Sequence, residues 1–145
     1  MDESGDASAM SFNDRVAEHG WLATWRGALN CPTFVGFARS LHCGDEIWLD
    51  LEVVQNSIRQ ARFHGQGCVV SQACASMLCE GIEGRSVDEI VELMAEQLMN
   101  FDFRVLSIDQ QCCALTPWEA LCQAIPRAAT NGAGRVCGRE YEGLR

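Results

Sequence analysis

Three cysteines and one aspartate stand at points where the sequence pattern changes from one predicted element to the next. Cys43 and Asp45 precede a segment of alternating apolar residues, Cys68 follows the segment after it, and Cys113 comes shortly before Thr116. Thiolate and carboxylate groups are ligands for zinc and iron in proteins. These four residues are therefore candidates for a metal or cluster site, provided that the fold brings them together.

A predicted β-hairpin brings two of these cysteines close to each other. Residues 47–53 alternate between apolar and polar side chains, which is typical of a half-buried strand, and residues 58–64 form a second strand after a turn near Asn56. Residues paired across such a hairpin have numbers that total about 112. This register places Cys43 beside Cys68 at the end of the hairpin that is remote from the turn.

Helix-start signals and apolar periodicity predict four helices around the hairpin. Ser11 and Ser86 begin capping-box patterns, and Thr116 followed by Pro117 indicates the start of the last helix. Cys113 would then precede a helix N-terminus, where the helix dipole favours a thiolate. The predicted helices cover about 12–25, 71–83, 87–98 and 117–125, a short strand is expected near 33–38, and residues 99–111 are expected to form a loop or short strand.

Length and composition limit the classes of protein and partner. A chain of 145 residues suffices for one domain with a hydrophobic core, which we expect over 11–126, with 1–10 and 127–145 disordered. A net charge of −9 argues against nucleic acid, whose binding needs a basic face. The sequence carries no long apolar run and no secretory pattern, so no membrane partner is expected and the predicted location is the cytoplasm.

The chain contains nine cysteines. An odd number without an export signal argues against a disulfide framework. Cys74, Cys79 and Cys122 lie on predicted helical stripes and are expected to be core residues. Cys112 competes with Cys113 as a ligand, because spacing alone does not separate two adjacent cysteines.

Three blocks of sequence resemble the iron–sulfur cluster assembly scaffold family, variously called IscU, SufU and the NifU N-terminal domain. The resemblance runs from about residue 12 to residue 126, and its middle block is the most specific, with a glycine before the cysteine, a serine three positions later and a Gly-basic pair that ends the helix. The blocks are CGDEIWLDLEV at 43–53, FHGQGCVVSQACASMLCEGIEGR at 63–85 and CALTPW at 113–118.

The resemblance implies an α+β fold of the SufE/NifU-like kind, a small antiparallel sheet of about three strands covered by helices on one face. It implies that Cys43, Cys68 and Cys113 carry sulfur and iron, and that Asp45 keeps the site labile. A cysteine desulfurase would deliver persulfide sulfur, with Cys113 as the expected acceptor because it is predicted to be exposed at a loop–helix junction. A transient [2Fe–2S] cluster would then pass to acceptor apo-proteins, and Zn2+ would occupy the same ligands in the isolated protein. Such a chain is a scaffold, not a turnover enzyme.

The sequence departs from the family pattern at four places. Residues 40–42 stand where Asn-Pro is usual, Cys74 replaces a serine, and Cys112 replaces a histidine or basic residue before the third cysteine. The Leu-Pro-Pro-Val-Lys segment that engages an Hsp70 chaperone in some members is replaced by residues around 108–111. The resemblance therefore does not by itself imply chaperone-assisted release for this chain.

Two other functions compete with the scaffold interpretation. A structural zinc module without transfer activity would use the same ligands and would unfold when the metal is removed. A thiol enzyme would pair one cysteine nucleophile with His42 or His64 as base, and would show one dominant reactive thiol. His42 is also a candidate additional ligand.

Overall fold

Three antiparallel strands and five α-helices make up the part of the chain that the computed structural model describes, residues 12–21, 24–40 and 44–125. The strands lie in the order β1-β2-β3. Helices α2 and α5 pack on the sheet and on each other, and α1 and α4 pack on α2. The elements are β1 (Phe34–Arg39), β2 (Glu46–Val54), β3 (Ser57–Gln66), α1 (Phe12–Trp21), α2 (Val69–Ile82), α3 (Val87–Val91), α4 (Ala95–Met99) and α5 (Ile108–Ala124), with a 3₁₀ turn at Phe103–Val105. The predicted α+β fold is confirmed.

The β2–β3 hairpin has the predicted register. Gln55 and Asn56 form its turn with positive φ angles of 52° and 67°, the backbone that a two-residue hairpin loop requires. At the other end, Glu46 pairs with Gln66, so that partner numbers total 112 as expected. Next to the turn, Val54 pairs with Ser57, which totals 111, and a register shift between Glu52 and Val53 gives the total of 112 at the end that precedes α2.

The hydrophobic core lies between this sheet and the helices. Ile47, Leu49 and Leu51 of β2 are completely buried on the helix-facing side of the sheet, as the alternation predicts. Gly36 of β1 faces α5, and a Cβ atom there would collide with the carbonyl oxygen of Ala120. The missing side chain therefore lets the backbone of α5 lie directly on the sheet.

The first two helix predictions need correction at one boundary each. Helix α1 ends at Trp21 rather than near residue 25, and its predicted capping residue Ser11 lies outside the described residues. Helix α2 starts at Val69, two residues before the predicted Ser71, because Cys68 is its N-cap. It ends as predicted, with Gly84 in the left-handed region at φ 92°.

The single helix predicted over 87–98 is wrong. Ser86 caps its start as expected, through a hydrogen bond from the Glu89 N–H to the Ser86 hydroxyl, but the helix stops at Val91. A new helix starts after Met94, whose N–H donates to the Gln97 side chain and which is 56% exposed rather than inward-facing. The capping by Gln97 divides the segment into α3 and α4.

The predicted helix start at Thr116 is also wrong, and this changes where Cys113 lies in its helix. Helix α5 begins at Ile108, where Ser107 and Gln110 form a reciprocal capping box. Residues 108–111, expected to be loop or strand, are thus helical. Thr116 lies inside α5 and its hydroxyl donates to the carbonyl of Cys112 at 3.1 Å. Cys113 is therefore in the second turn of a helix rather than in front of one.

No helix among the described residues has the length and apolar character needed to cross a bilayer.

Candidate metal centre

Three of the four predicted ligands converge at the end of the hairpin. A carboxylate oxygen of Asp45 and the sulfur atoms of Cys68 and Cys113 all lie within 4.8 Å of one another. Ligand atoms on one tetrahedral zinc are separated by about 3.3 to 3.8 Å, so small side-chain shifts would suffice to hold one ion. Two thiols and a carboxylate are a donor set suited to zinc or iron. Cys43, the fourth predicted ligand, lies outside the described residues.

Cys68 is held at the N-terminus of α2. Its sulfur accepts a hydrogen bond from the backbone N–H of Ser71 at 3.5 Å, so the thiol acts as the capping side chain of the helix. The positive end of the helix dipole stabilises negative charge at this position. The stabilisation of a thiolate by a helix N-terminus, predicted for Cys113, is therefore available to Cys68 instead.

Asp45 completes the cap of α2 from a different element. Its Oδ1 accepts the backbone N–H of Cys68 at 2.9 Å, which is the bond that a glutamate inside the helix makes in an ordinary capping box. Its Oδ2 lies 3.5 Å from the Cys68 sulfur, and the residue is 2% exposed. With one oxygen held by the backbone, Asp45 offers a metal ion one oxygen.

Cys113 reaches the site from α5 and is 7% exposed. The prediction that it would be exposed at a loop–helix junction is wrong, because its helix begins five residues earlier. Its neighbour Cys112 points to solvent and does not belong to the group formed with Asp45 and Cys68. Of the two adjacent cysteines, the geometry places Cys113 in the group.

The other described cysteines are not members of this group. Burial raises the pKa of the Cys74 thiol to about 12 and also raises the pKa of Cys79, so both stay protonated in the core as predicted. Cys122 is half-buried. Cys31 is disulfide-bonded, which the sequence argument against a disulfide framework did not anticipate.

Neither described histidine has the cysteine partner that a thiol enzyme requires. His64 Nε2 lies 3.6 Å from the carboxylate of Asp50. His19 Nδ1 is 2.7 Å from the Ser76 hydroxyl, and its Nε2 is 3.2 Å from a Glu80 oxygen. His42 lies outside the described residues.

Comparisons of sequence identify relatives of this chain. The family model described as "NifU-like N terminal domain" matches residues 11–130. An iron–sulfur cluster assembly scaffold protein IscU from Thermotoga maritima is 37% identical over 87 residues, 60% of this chain and 61% of that protein. A zinc-dependent sulfurtransferase SufU from Bacillus subtilis is 33% identical over 51 residues, 35% of each chain. The chain thus spans less than two thirds of the length of these relatives.

Solved structures share the fold. A putative scaffold protein for the SUF system from Fervidobacterium islandicum superposes with a TM-score of 0.65 and 26% identity, over 77% of this chain and 94% of that one. The N-terminal part of a NifU-like protein from Brucella abortus gives a TM-score of 0.66 at 17% identity, over 80% and 92% of the two chains, and supports the fold alone. Both agree with a three-stranded antiparallel sheet covered by helices.

Proposed function

The chain belongs to the NifU-like N-terminal domain family, and on that premise we propose that it is an iron–sulfur cluster assembly scaffold. It would accept sulfur, assemble a labile [2Fe–2S] cluster and pass the cluster to acceptor proteins. The observation that carries the proposal is the convergence of Asp45, Cys68 and Cys113 within 4.8 Å. Iron and sulfide are the cargo of such a protein rather than its resident cofactor.

The proposed ligands are Cys43, Asp45, Cys68 and Cys113. Cys43 is included because it stands two residues before Asp45 in the chain. Thiolates hold iron firmly, whereas one carboxylate oxygen is a weaker partner for a soft centre. A carrier must release what it assembles, and a mixed sulfur and oxygen set meets both needs. Zn2+ would occupy the same groups when no iron is supplied.

We propose Cys113 as the first acceptor of sulfur. Its thiolate would attack the outer sulfur of a desulfurase persulfide, forming a persulfide on Cys113 and releasing the desulfurase cysteine as a thiolate, so that the step involves no net oxidation. Because Cys113 is 7% exposed, the attack needs a local opening around it. Cys68, which is half-buried, is the competing acceptor.

The proposed partners are a cysteine desulfurase and acceptor apo-proteins, and the proposed location is the cytoplasm. The net charge of −9 is unfavourable for nucleic acid. We also propose that the chain is a carrier rather than a turnover enzyme, although one relative is named a sulfurtransferase. A carrier would deliver no more sulfur than its own site holds in each loading cycle.

Anaerobic reconstitution tests the proposal. Iron, a cysteine desulfurase and cysteine are added to each variant, and the visible spectrum reports the cluster. Cys68→Ala and Cys113→Ala should fail to build the cluster of the wild-type protein. Cys112→Ala is the matched control, since it removes an exposed thiol beside Cys113 and should build normally. A normal cluster in Cys68→Ala would refute the ligand set.

The alternative function is a structural zinc module, because one relative is named as zinc-dependent. A chelator separates the two functions. The scaffold should remain folded without metal, because the sheet and helices already enclose a core that includes Ile47, Leu49 and Leu51. A structural module would unfold. Thermal melts with and without chelator, followed by circular dichroism, decide between these outcomes.

A further inference from the structure

Gly67 directly precedes Cys68 and is exposed to solvent, so nothing about burial requires a glycine there. Gly67 does not have a positive φ angle, so an alanine could adopt the same backbone conformation. What distinguishes Gly67 is the direction in which a side chain at this residue would point. An added Cβ would lie 2.5 Å from the Ser71 hydroxyl and 2.8 Å from Asp45 Oδ1.

We infer that Gly67 is a positioning residue for the metal centre, because its missing side chain leaves the space that the Asp45 carboxylate occupies beside Cys68. This inference rests on the proposed function and names the residue that makes the oxygen ligand available. Real Cβ atoms do not approach an oxygen as closely as 2.8 Å, so a side chain at residue 67 must displace the carboxylate. The Ser71 hydroxyl, 2.5 Å from the added Cβ, must also rotate away and gives up the bond that it donates to the Cys68 carbonyl, but this rotation moves neither sulfur ligand.

Displacement of the carboxylate would break two interactions at once. Asp45 Oδ1 would lose the Cys68 N–H, and Oδ2 would move away from the Cys68 sulfur, from which it is now 3.5 Å distant. Both sulfur ligands would remain in place. An alanine at residue 67 should therefore reproduce the loss of Asp45 while the aspartate is still present.

Titration with Co2+ tests this inference, because its visible bands report the ligand set directly. Gly67→Ala should show the ligand-field bands of Asp45→Ala, with the sulfur-to-cobalt charge-transfer bands retained, and should bind Co2+ about 10- to 100-fold more weakly than the wild type. In an Asp45→Ala background the same substitution should weaken binding no further. Gly84→Ala is the matched control. It strains a left-handed residue at the other end of α2, where a Cβ meets no atom within 4 Å, and it should lower the melting temperature while keeping the wild-type spectrum.

Three results would overturn the inference. The first is a wild-type spectrum and affinity in Gly67→Ala, and the second is an equal loss of affinity in both backgrounds. The third is unfolding of Gly67→Ala in both backgrounds, which would mean that the fold itself requires the glycine. Unfolding of the single variant with recovery in the Asp45→Ala background would support it. A wild-type chain that binds no Co2+ would instead refute the proposed ligand set, so the two failures are distinguishable.

Discussion

Asp45 Oδ1 accepts the backbone N–H of Cys68 over 2.9 Å, across the open end of the β2–β3 hairpin. The same carboxylate places its second oxygen 3.5 Å from the Cys68 sulfur. One side chain thus caps helix α2 and belongs to the candidate metal centre. Asp45 therefore contributes both to the stability of the fold and to the candidate site. Substitutions that keep one contribution and remove the other can separate these two roles.

Asp45→Asn and Asp45→Ala should differ in stability. Asparagine keeps an oxygen that can accept the Cys68 N–H, whereas alanine leaves that N–H without its present acceptor, which costs about 1 to 3 kcal/mol. Denaturant unfolding in the presence of chelator measures the difference without any contribution from metal. Equal unfolding free energies for the two variants would contradict a capping role for the carboxylate.

Asp45→Cys should slow the release of the cluster. A fourth thiolate would replace the single oxygen that the proposed site offers, and thiolates bind iron more firmly than a carboxylate does. The visible spectrum of a reconstituted variant should persist longer when an apo-ferredoxin acceptor is added. Transfer at the wild-type rate would mean that Asp45 does not control lability.

Cys68→Ser should separate metal binding from helix capping. Serine is a preferred N-cap and can accept the Ser71 N–H that the sulfur now accepts, so the apo variant should be at least as stable as the apo wild type. Cys68→Ala should be less stable by about 1 kcal/mol. Both should lose zinc affinity in a competition titration. Serine and alanine variants of equal stability would show that the sulfur cap contributes nothing.

The sequence predicts the hairpin and the position of Cys68 at its end, because both depend on local patterns. Alternation from Ile47 to Val53 and the turn at Gln55–Asn56 specify the register to within the one-residue shift between Glu52 and Val53, and the register specifies which residues lie at its open end. Cys68 follows β3 after one intervening glycine, so its place at the start of a helix is also local. Asp45 as a helix cap was missed, because its bond to Cys68 joins residues that only tertiary structure brings together.

Helix α5 was misread because the sequence carries two helix-start signals in succession. Ser107 with Gln110 and Thr116 with Pro117 both match the pattern of a helix N-terminus. Packing decides between them, since Cys113 is buried and Ala114 is completely buried when the helix starts at the earlier signal. Pattern alone does not reveal which stretch has a core to pack against.

Among the described free thiols, alkylation of the apo protein with its disulfide intact should label Cys112 first, followed by Cys68. Cys112 is exposed and Cys68 half-buried, whereas Cys74 and Cys79 are fully buried with raised thiol pKa values and should react only after unfolding. Mass spectrometry of iodoacetamide adducts over time gives the order. One hyper-reactive site with all other thiols silent would favour the thiol enzyme instead.

His19 should make the docking of α1 on α2 sensitive to acid. Its ring is 7% exposed, and burial is the main cause that lowers its pKa below the ordinary value of 6.5, with Arg15 acting in the same direction and Glu80 and Glu18 opposing. The unfolded chain therefore binds more protons at this residue as the pH falls below 6.5. The stability that neutral His19 contributes should be complete above that pH and should decrease on acidification towards the lowered pKa.

The comparison with His19→Phe isolates this effect from the titration of other groups. Phenylalanine keeps a ring between α1 and α2 but does not titrate, and Ser76, which loses its partner, can bond to a carbonyl of its own helix. From pH 7 to pH 5, measured in chelator, the unfolding free energy of the wild type should fall relative to that of the variant. A difference that is constant over this range would mean that His19 has the same pKa in the folded and unfolded states.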